Sequence, residues 1–144
     1  PFDGPAGDLL QRIVERALPA GTAYAMCNLV ACFPAEAKAR GDNEPEHLEI
    51  LACRPRLLEF LDIARPKLVV RVGALAGEYV QHDSYGKVAG AAVCDIVHPA
   101  SILRKRTSQG NGMPLAQKQM AVDRVVVVLR NAVEGIMGEP CSRS

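Results

Sequence analysis

Apolar residues recur every three or four positions in three stretches of the chain, which is the spacing of one face of an α-helix. The first stretch follows Asp8, whose charge suits the positive end of a helix; its apolar positions are Leu9, Leu10, Ile13, Val14 and Ala17. The last runs from about residue 115 to 136; its apolar positions are Val122, Val125, Val126, Leu129, Val133 and Ile136. Four consecutive valines are weak helix formers, but the spacing still predicts a helix there.

The middle stretch predicts a helix over residues 45–64, because Pro45 suits a first helical turn. Its apolar face is predicted at Leu48, Leu51, Leu57, Leu58 and Leu61. Pro55 has no amide hydrogen and clashes with the preceding turn, so it predicts a kink or a restart. A polar, charged loop is predicted ahead of this helix, over residues 33–45.

Three other apolar runs predict strands. Residues 23–31 are mainly apolar, whereas residues 68–73 and 91–97 are short and rich in β-branched side chains, as is typical of a parallel sheet. Gly73 opens a turn into a short helix over residues 74–80. A basic, glycine-rich and mobile loop is predicted over residues 101–114. Strands that alternate with helices predict an α/β domain with a mostly parallel sheet.

His98 lies where the third predicted strand ends. Pro99 has no amide hydrogen to donate to a neighbouring strand, so the chain must leave the sheet there. Open α/β folds bind ligands at the carboxyl ends of their parallel strands, so His98 is a candidate for chemistry; the alternative is a histidine that merely ends a strand. The basic residues 104–106 that follow are suited to phosphate.

Composition narrows the class of protein. The chain has 144 residues, of which 49% are hydrophobic, and this predicts one globular domain. No apolar run approaches the ~20 residues that span a bilayer. A net charge of +1 argues against indiscriminate nucleic-acid binding but allows a local basic patch. Five cysteines without a close pair argue against a disulfide framework and favour a cytoplasmic protein. The first residue is Pro1 rather than methionine, which indicates a fragment.

Two more residues are candidates for ligand binding. Phe2 lies in a turn-rich segment, where a lone aromatic side chain either fills a local gap or stacks on a ligand. Asn28 interrupts an apolar run, and its amide either bonds a neighbouring loop or reads the edge of a heterocyclic ligand. The residues alone leave both alternatives open.

Four short stretches, taken in order, resemble motifs of the uracil-DNA glycosylase superfamily, most closely its iron–sulfur, family 4-like branch. Residues 1–10 look like P-F-x-G-x-A-G-x-L-L, residues 28–32 like N-x-V-K-C with Ala31 at the lysine, residues 49–57 and 65–70 like E-I-x-x-C-x-P-x-L and x-P-K-x-I-V, and residues 98–104 like H-P-x-x-x-L-R. The resemblance implies a single α/β/α domain over residues 1–144, built in three layers on a mostly parallel four-stranded sheet. It also implies that the N-terminal part of the domain, with its first strand, is missing.

The resemblance further implies a DNA-repair glycosylase that hydrolyses the bond to a uracil flipped out of DNA. Phe2 would stack on the base, Asn28 would bind its edge and exclude cytosine, and His98 would donate to uracil O2 as negative charge develops. Residues of the following loop would enter the minor-groove side and contact phosphate; they are Pro99, Ala100, Ser101, Leu103 and Arg104. Uracil-containing DNA is the implied partner, and the protein is expected to be a monomer without a membrane partner.

The same branch holds a [4Fe–4S] cluster on four cysteines, so the resemblance implies this cofactor in the full-length parent. Cys32 and Cys53 match two of the ligands, which is half of a set, and Cys27 could substitute for another. The upstream cysteine pair and the family's first motif, a G-E-x-P-G-type loop, have no counterpart here. Three alternatives to an active enzyme therefore stay open: a nucleic-acid-binding relative without activity, a truncated fragment without activity, or an unrelated small α/β ligand-binding domain.

Overall fold

The computed structural model describes residues 4–31, 45–104 and 112–138 of the chain. These residues belong to two compact units. The described part of the first unit is residues 25–31 and 45–66, and that of the second is residues 4–24, 67–104 and 112–138. In chain order the elements are α1 (Pro5–Ala17), α2 (His47–Ala64), β1 (Leu68–Val72), α3 (Ala74–Tyr79), β2 (Ala92–Ile96), α4 (Pro99–Arg104) and α5 (Leu115–Met137).

The sheet of the second unit is a parallel pair. β1 lies beside β2 in a register that places Leu68 opposite Ala92 and Val72 opposite Ile96. Helix α3 lies between the two strands in the chain, so β1, α3 and β2 form a parallel crossover unit. This confirms the α/β class and the two predicted strands over 68–73 and 91–97. Within the described residues the sheet has two strands, fewer than the four that the resemblance implies.

A buried arginine joins the two strands to the end of α3. Only 9% of Arg71 is exposed, and its Nε and Nη2 atoms each donate to a carboxylate oxygen of Asp95 at 2.6 Å. Its Nη1 atom donates to the carbonyl oxygens of Val80, at 2.9 Å, and Gly77, at 3.4 Å. A buried guanidinium is tolerated only with such a full set of acceptors. The same side chain therefore fixes β1 against β2 and holds the last turn of α3.

Helices cover this sheet through the apolar faces that their spacing predicts. α5 packs on both strands, α1 packs on α5 and α4, and α3 packs on β1. The buried side chains of α1 and α5 are Leu9, Leu10, Ile13, Val14, Ala17, Val122, Val125, Val126, Leu129 and Val133. Both predicted helices are thus confirmed, and α1 begins earlier than predicted because Pro5 occupies its first turn.

Helix α2 belongs to the first unit and differs from its prediction. A reciprocal capping box between Glu46 and Glu49 starts it, and the helix then continues through Pro55 without the predicted restart. Its buried residues are Ile50, Leu57 and Leu61. The predicted face was wrong for Leu48, Leu51 and Leu58, which are exposed. The five leucines occupy more than one side of a helix, and the structure buries only the side that Ile50 shares with Leu57 and Leu61.

Two predicted segments are also wrong. Residues 23–31 form no strand: they have no ladder partner among the described residues, and an extended run without a hydrogen-bonding neighbour is not a strand. Residues 101–104 are not loop but part of α4, since Pro99 starts a helical turn as soon as the sheet ends. The rest of that predicted loop up to residue 111, and the predicted loop over residues 33–44, lie outside the described residues. Among the described helices, none has the length and apolarity needed to cross a membrane.

We expect Asp95→Asn to lower the free energy of unfolding by about 1 to 2 kcal/mol at pH 7, because an amide cannot replace both charge-assisted bonds to Arg71 and water partly screens the exposed carboxylate. Hydrogen bonds from Arg71 hold the pKa of Asp95 below its ordinary value. The stabilisation is therefore complete above a pH of about 4, the unfolded-state value, and is lost as the pH falls through the lower folded-state pKa. Urea unfolding at pH 7 and at about pH 3 measures both effects.

Asp123→Asn is the matched control, because Asp123 pairs with Arg16 at 2.7 Å on the surface, where both side chains are about half exposed. Asp123→Asn should lower the free energy of unfolding clearly less than Asp95→Asn does. Equal losses for the two variants would contradict the role assigned to the buried Arg71.

Candidate active site

The parallel register brings His98 to the edge of the sheet where both strands end. Ile96 is the last residue of β2, Pro99 is the first of α4, and Pro99 is buried. The turn after β1 lies at the same edge, where the Gly73 N–H donates to the Ile96 carbonyl at 2.9 Å. His98 itself is exposed. This agrees with its predicted position at the carboxyl end of a parallel strand.

The imidazole of His98 is held as a neutral hydrogen-bond donor. Its Nδ1 accepts a hydrogen bond from the Ala100 N–H at 3.2 Å, so Nδ1 carries no proton and the neutral ring carries its proton on Nε2. Partial burial of the ring, and then the positive charge of Arg104, lower the pKa of His98 below its ordinary value. At neutral pH this ring therefore offers a donor N–H rather than a positive charge.

The first turn of α4 is bonded to the backbone of His98. The N–H and Oγ of Ser101 both donate to the His98 carbonyl, at 2.9 and 2.7 Å. Arg104 Nε donates to the Ala100 carbonyl at 3.3 Å. Pro99 is buried, whereas Ser101, Leu103 and Arg104 are exposed. The predicted binding loop is thus a short helix that presents an apolar side chain and a guanidinium to solvent.

Gly73 lies against the side chain of His98, closer than a residue with a Cβ atom would fit without displacing it. A Cβ atom added there would lie 3.0 Å from His98 Cβ and 3.4 Å from Cδ2, and Gly73 has a φ of +90°. From the sequence Gly73 is predicted only as a turn residue. Its contact with His98 carries no signal in the sequence, because it depends on which residues of the two strands lie opposite each other.

The other predicted site residues are not brought together with His98 in one unit. Asn28 lies in the first unit and is exposed, and its backbone carbonyl oxygen accepts a hydrogen bond from Arg56 Nη2 of α2 at 3.0 Å. Phe2 and Cys32 lie outside the described residues. Of the predicted set, the described part of the second unit therefore contains His98 and the residues of α4.

The described residues do not fit an iron–sulfur site. Residues 4–31, 45–104 and 112–138 contain no group of three histidine, cysteine or acidic side chains that could share a metal. Cys53 is partly buried on α2, and burial raises the pKa of the half-buried Cys27. Cys94 is buried in β2, where burial also raises its pKa. We therefore assign no chemistry to a cluster.

Comparison with known proteins identifies one family. Residues 1–129 match the family model of the uracil DNA glycosylase superfamily. Three curated relatives are each called "Type-4 uracil-DNA glycosylase". The protein of Saccharolobus solfataricus is 33% identical over 97 residues, 62% of this chain and 43% of that protein. The protein of Pyrobaculum aerophilum is 28% identical over 128 residues, 76% of this chain and 62% of that protein. The protein of Sulfurisphaera tokodaii is 33% identical over 81 residues, 56% of this chain and 34% of that protein. The chain thus spans between a third and five eighths of the length of these relatives.

Arg104→Gln should raise the pKa of His98 towards the ordinary histidine value of about 6.5, because it removes the positive charge that disfavours the imidazolium. The chain has three histidines, so ring-proton NMR during a pH titration resolves the signal, and His98→Ala identifies it. Arg124→Gln is the control, since it removes an exposed arginine of α5 and should leave the pKa unchanged. An unchanged His98 pKa in Arg104→Gln would show that the guanidinium does not act on the ring.

Proposed function

The chain belongs to the uracil DNA glycosylase superfamily, and we propose that it is a DNA-repair glycosylase that hydrolyses the N-glycosidic bond of uracil flipped out of DNA. One observation supports this most directly. His98 stands at the carboxyl edge of the sheet with Nδ1 occupied by the Ala100 N–H, so its Nε2–H is left to act as a donor. A donor of this kind is what a departing base with developing negative charge requires.

The reaction that we propose breaks the bond between C1′ of the deoxyribose and N1 of uracil. The electron pair of that bond leaves with the base, and negative charge develops on uracil O2. His98 donates a hydrogen bond from Nε2 to this oxygen and remains neutral while doing so. Water supplies the hydroxyl that C1′ gains and, overall, the proton that uracil takes, which leaves an abasic site and free uracil. The partner is therefore uracil-containing DNA.

Two further residues are proposed to bind the base. Phe2 would stack on the face of the flipped uracil, a contact that does not distinguish one base from another. Asn28 would supply the discrimination, because its amide N–H can donate to O4 and its carbonyl can accept from N3–H. Cytosine presents the opposite pattern at these two positions, so it would leave the amide groups unpaired.

The surface of α4 is proposed to contact the DNA. Leu103 would enter the space left by the flipped base and Arg104 would bind a phosphate, with Ala100 and Ser101 beside them. Pro99 is buried and would act by starting the helix rather than by touching the DNA. We further propose that the protein acts in the cytoplasm as a monomer and that residues 1–144 form one domain. The described residues do not support a cluster, so the proposal assigns it no step.

His98→Ala should lower the rate of uracil release by about 10²- to 10³-fold, the usual cost of losing one donor to a developing oxyanion. DNA binding should be retained, because the phosphate contact is assigned to Arg104. The measurement is the release of uracil from a single-stranded oligonucleotide that carries one uracil, with a thymine oligonucleotide beside it. Binding of the same strand is measured by fluorescence anisotropy.

His82→Ala is the matched control, since His82 is an exposed loop histidine. This variant should release uracil at the wild-type rate. Release by the wild type but not by His98→Ala supports the glycosylase. A folded wild type that binds the uracil strand without releasing the base would instead indicate a non-catalytic nucleic-acid-binding relative. If no DNA is bound at all, the function belongs to another class of α/β ligand-binding domain.

Asn28→Asp should reduce the preference for uracil over cytosine by about tenfold or more, because the carboxylate loses the donor to uracil O4 and can accept from the cytosine amino group. Competing release of the two bases from matched oligonucleotides gives this ratio. Asn131→Asp, an exposed change of the same kind on α5, should leave it unchanged. Unaltered selectivity in Asn28→Asp would refute the base-reading role.

A further inference from the structure

We propose that Gly73 is a positioning residue for His98, whose imidazole can adopt its present place only because residue 73 has no side chain. The contact between Gly73 and His98 is argued from geometry alone. Its effect on catalysis rests on the proposed function. Gly73 follows β1 and His98 follows β2, so the sheet itself brings the two residues together.

The ring lies between two backbone groups. On the side of Nδ1, the Ala100 N–H donates to the ring at 3.2 Å. On the other side, the position that a Cβ of residue 73 would take lies 3.0 Å from His98 Cβ, 3.4 Å from Cδ2 and 3.6 Å from Cγ. Cδ2 is bonded to Nε2, the nitrogen that carries the proton in this tautomer. Gly73 therefore lies against the edge of the ring that leads to the donor.

A methyl group at residue 73 would have to displace the root of the His98 side chain, not its flexible end. The backbone of His98 has little freedom to move, because its carbonyl accepts two hydrogen bonds from Ser101 and the next residue, Pro99, is buried. The few tenths of an ångström that the contact demands must then come from a turn of the imidazole. Such a turn weakens the bond from the Ala100 N–H, and with it the preference for the tautomer that keeps the proton on Nε2.

The backbone of Gly73 imposes a second demand that has to be separated from the first. Its φ of +90° is unfavourable for any residue with a side chain, so Gly73→Ala is strained even without the contact. Gly4 provides the matched control. Its φ of +90° and ψ of −177° are close to the φ of +90° and ψ of 170° of Gly73, and a Cβ added there would meet nothing within 4 Å. Gly4→Ala thus carries the same backbone strain without the contact, and the difference between the two variants isolates the contact with His98.

The first experiment reads the ring in the free protein. The ¹⁵N shifts of the His98 ring nitrogens report which nitrogen carries the proton, and a pH titration reports its pKa. We expect Gly73→Ala to move both the tautomer and the pKa of His98, and we expect Gly4→Ala to leave both as in the wild type. Unchanged ring nitrogens in a folded Gly73→Ala protein would overturn the proposal.

The second experiment is a double-mutant cycle in thermal unfolding, which also decides the case if Gly73→Ala is too unstable for NMR. His98→Gly removes the Cβ and ring that residue 73 would strike. In that background Gly73→Ala should lower the melting temperature no more than Gly4→Ala does. If Gly73→Ala is equally damaging with and without the His98 side chain, or unfolds the chain in both, the contact is not what excludes a side chain and the proposal fails.

The third experiment connects the contact to the reaction. Gly73→Ala should lower kcat for uracil release by about 10- to 100-fold with KM unchanged, because the donor is misplaced while the DNA contacts remain. Gly90→Ala, a change at an exposed glycine whose φ is also positive (+79°), should match the wild type. A wild type that releases no uracil refutes the proposed glycosylase without touching the contact, which the ring shifts and the unfolding cycle test separately. A rise in KM with kcat unchanged would overturn the positioning role.

Discussion

The parallel pairing of β1 and β2 is the constraint on which the candidate site depends. Two strands supply few hydrogen bonds and are marginal alone, so their register needs further support. Arg71 provides this support from within the sheet. Its guanidinium is almost fully buried and donates hydrogen bonds to both carboxylate oxygens of Asp95 on the neighbouring strand. Asp95 is 60% exposed, so only one of the two charges leaves water. The cost of burial is therefore lower than for a fully buried pair, while the geometric restraint on the register is kept.

This register has a chemical consequence at the end of the strands. Because Val72 lies opposite Ile96, the turn after β1 lies beside the residues that follow β2. Gly73 is therefore in contact with the imidazole of His98. Burial of the ring edge and the nearby guanidinium both disfavour the imidazolium form of His98. The site therefore suits a role in which a neutral N–H stabilises charge developing on another group. It suits much less a role that requires a histidine cation at neutral pH.

The elements that could be predicted from the sequence are those whose buried face follows from the spacing of apolar residues along the chain. Helices α1 and α5 and both strands were of this kind, as was the position of His98 before Pro99. The strand over residues 23–31 failed because apolar composition cannot supply the neighbour with which a strand must pair. The contact between Gly73 and His98 could not be predicted either, since it depends on which residues of two strands, 24 positions apart, lie opposite each other.

Helix α4 combines two tasks that are usually assigned to separate residues. The Ala100 N–H binds the His98 ring, and the Ala100 carbonyl accepts from Arg104, the residue assigned to phosphate. Arg104 also lowers the pKa of His98. A change at Arg104 therefore alters the DNA-facing charge, the end of the short helix and the protonation of the catalytic candidate together. Loss of activity in such a variant does not identify a phosphate contact unless the titration of His98 is measured in the same protein.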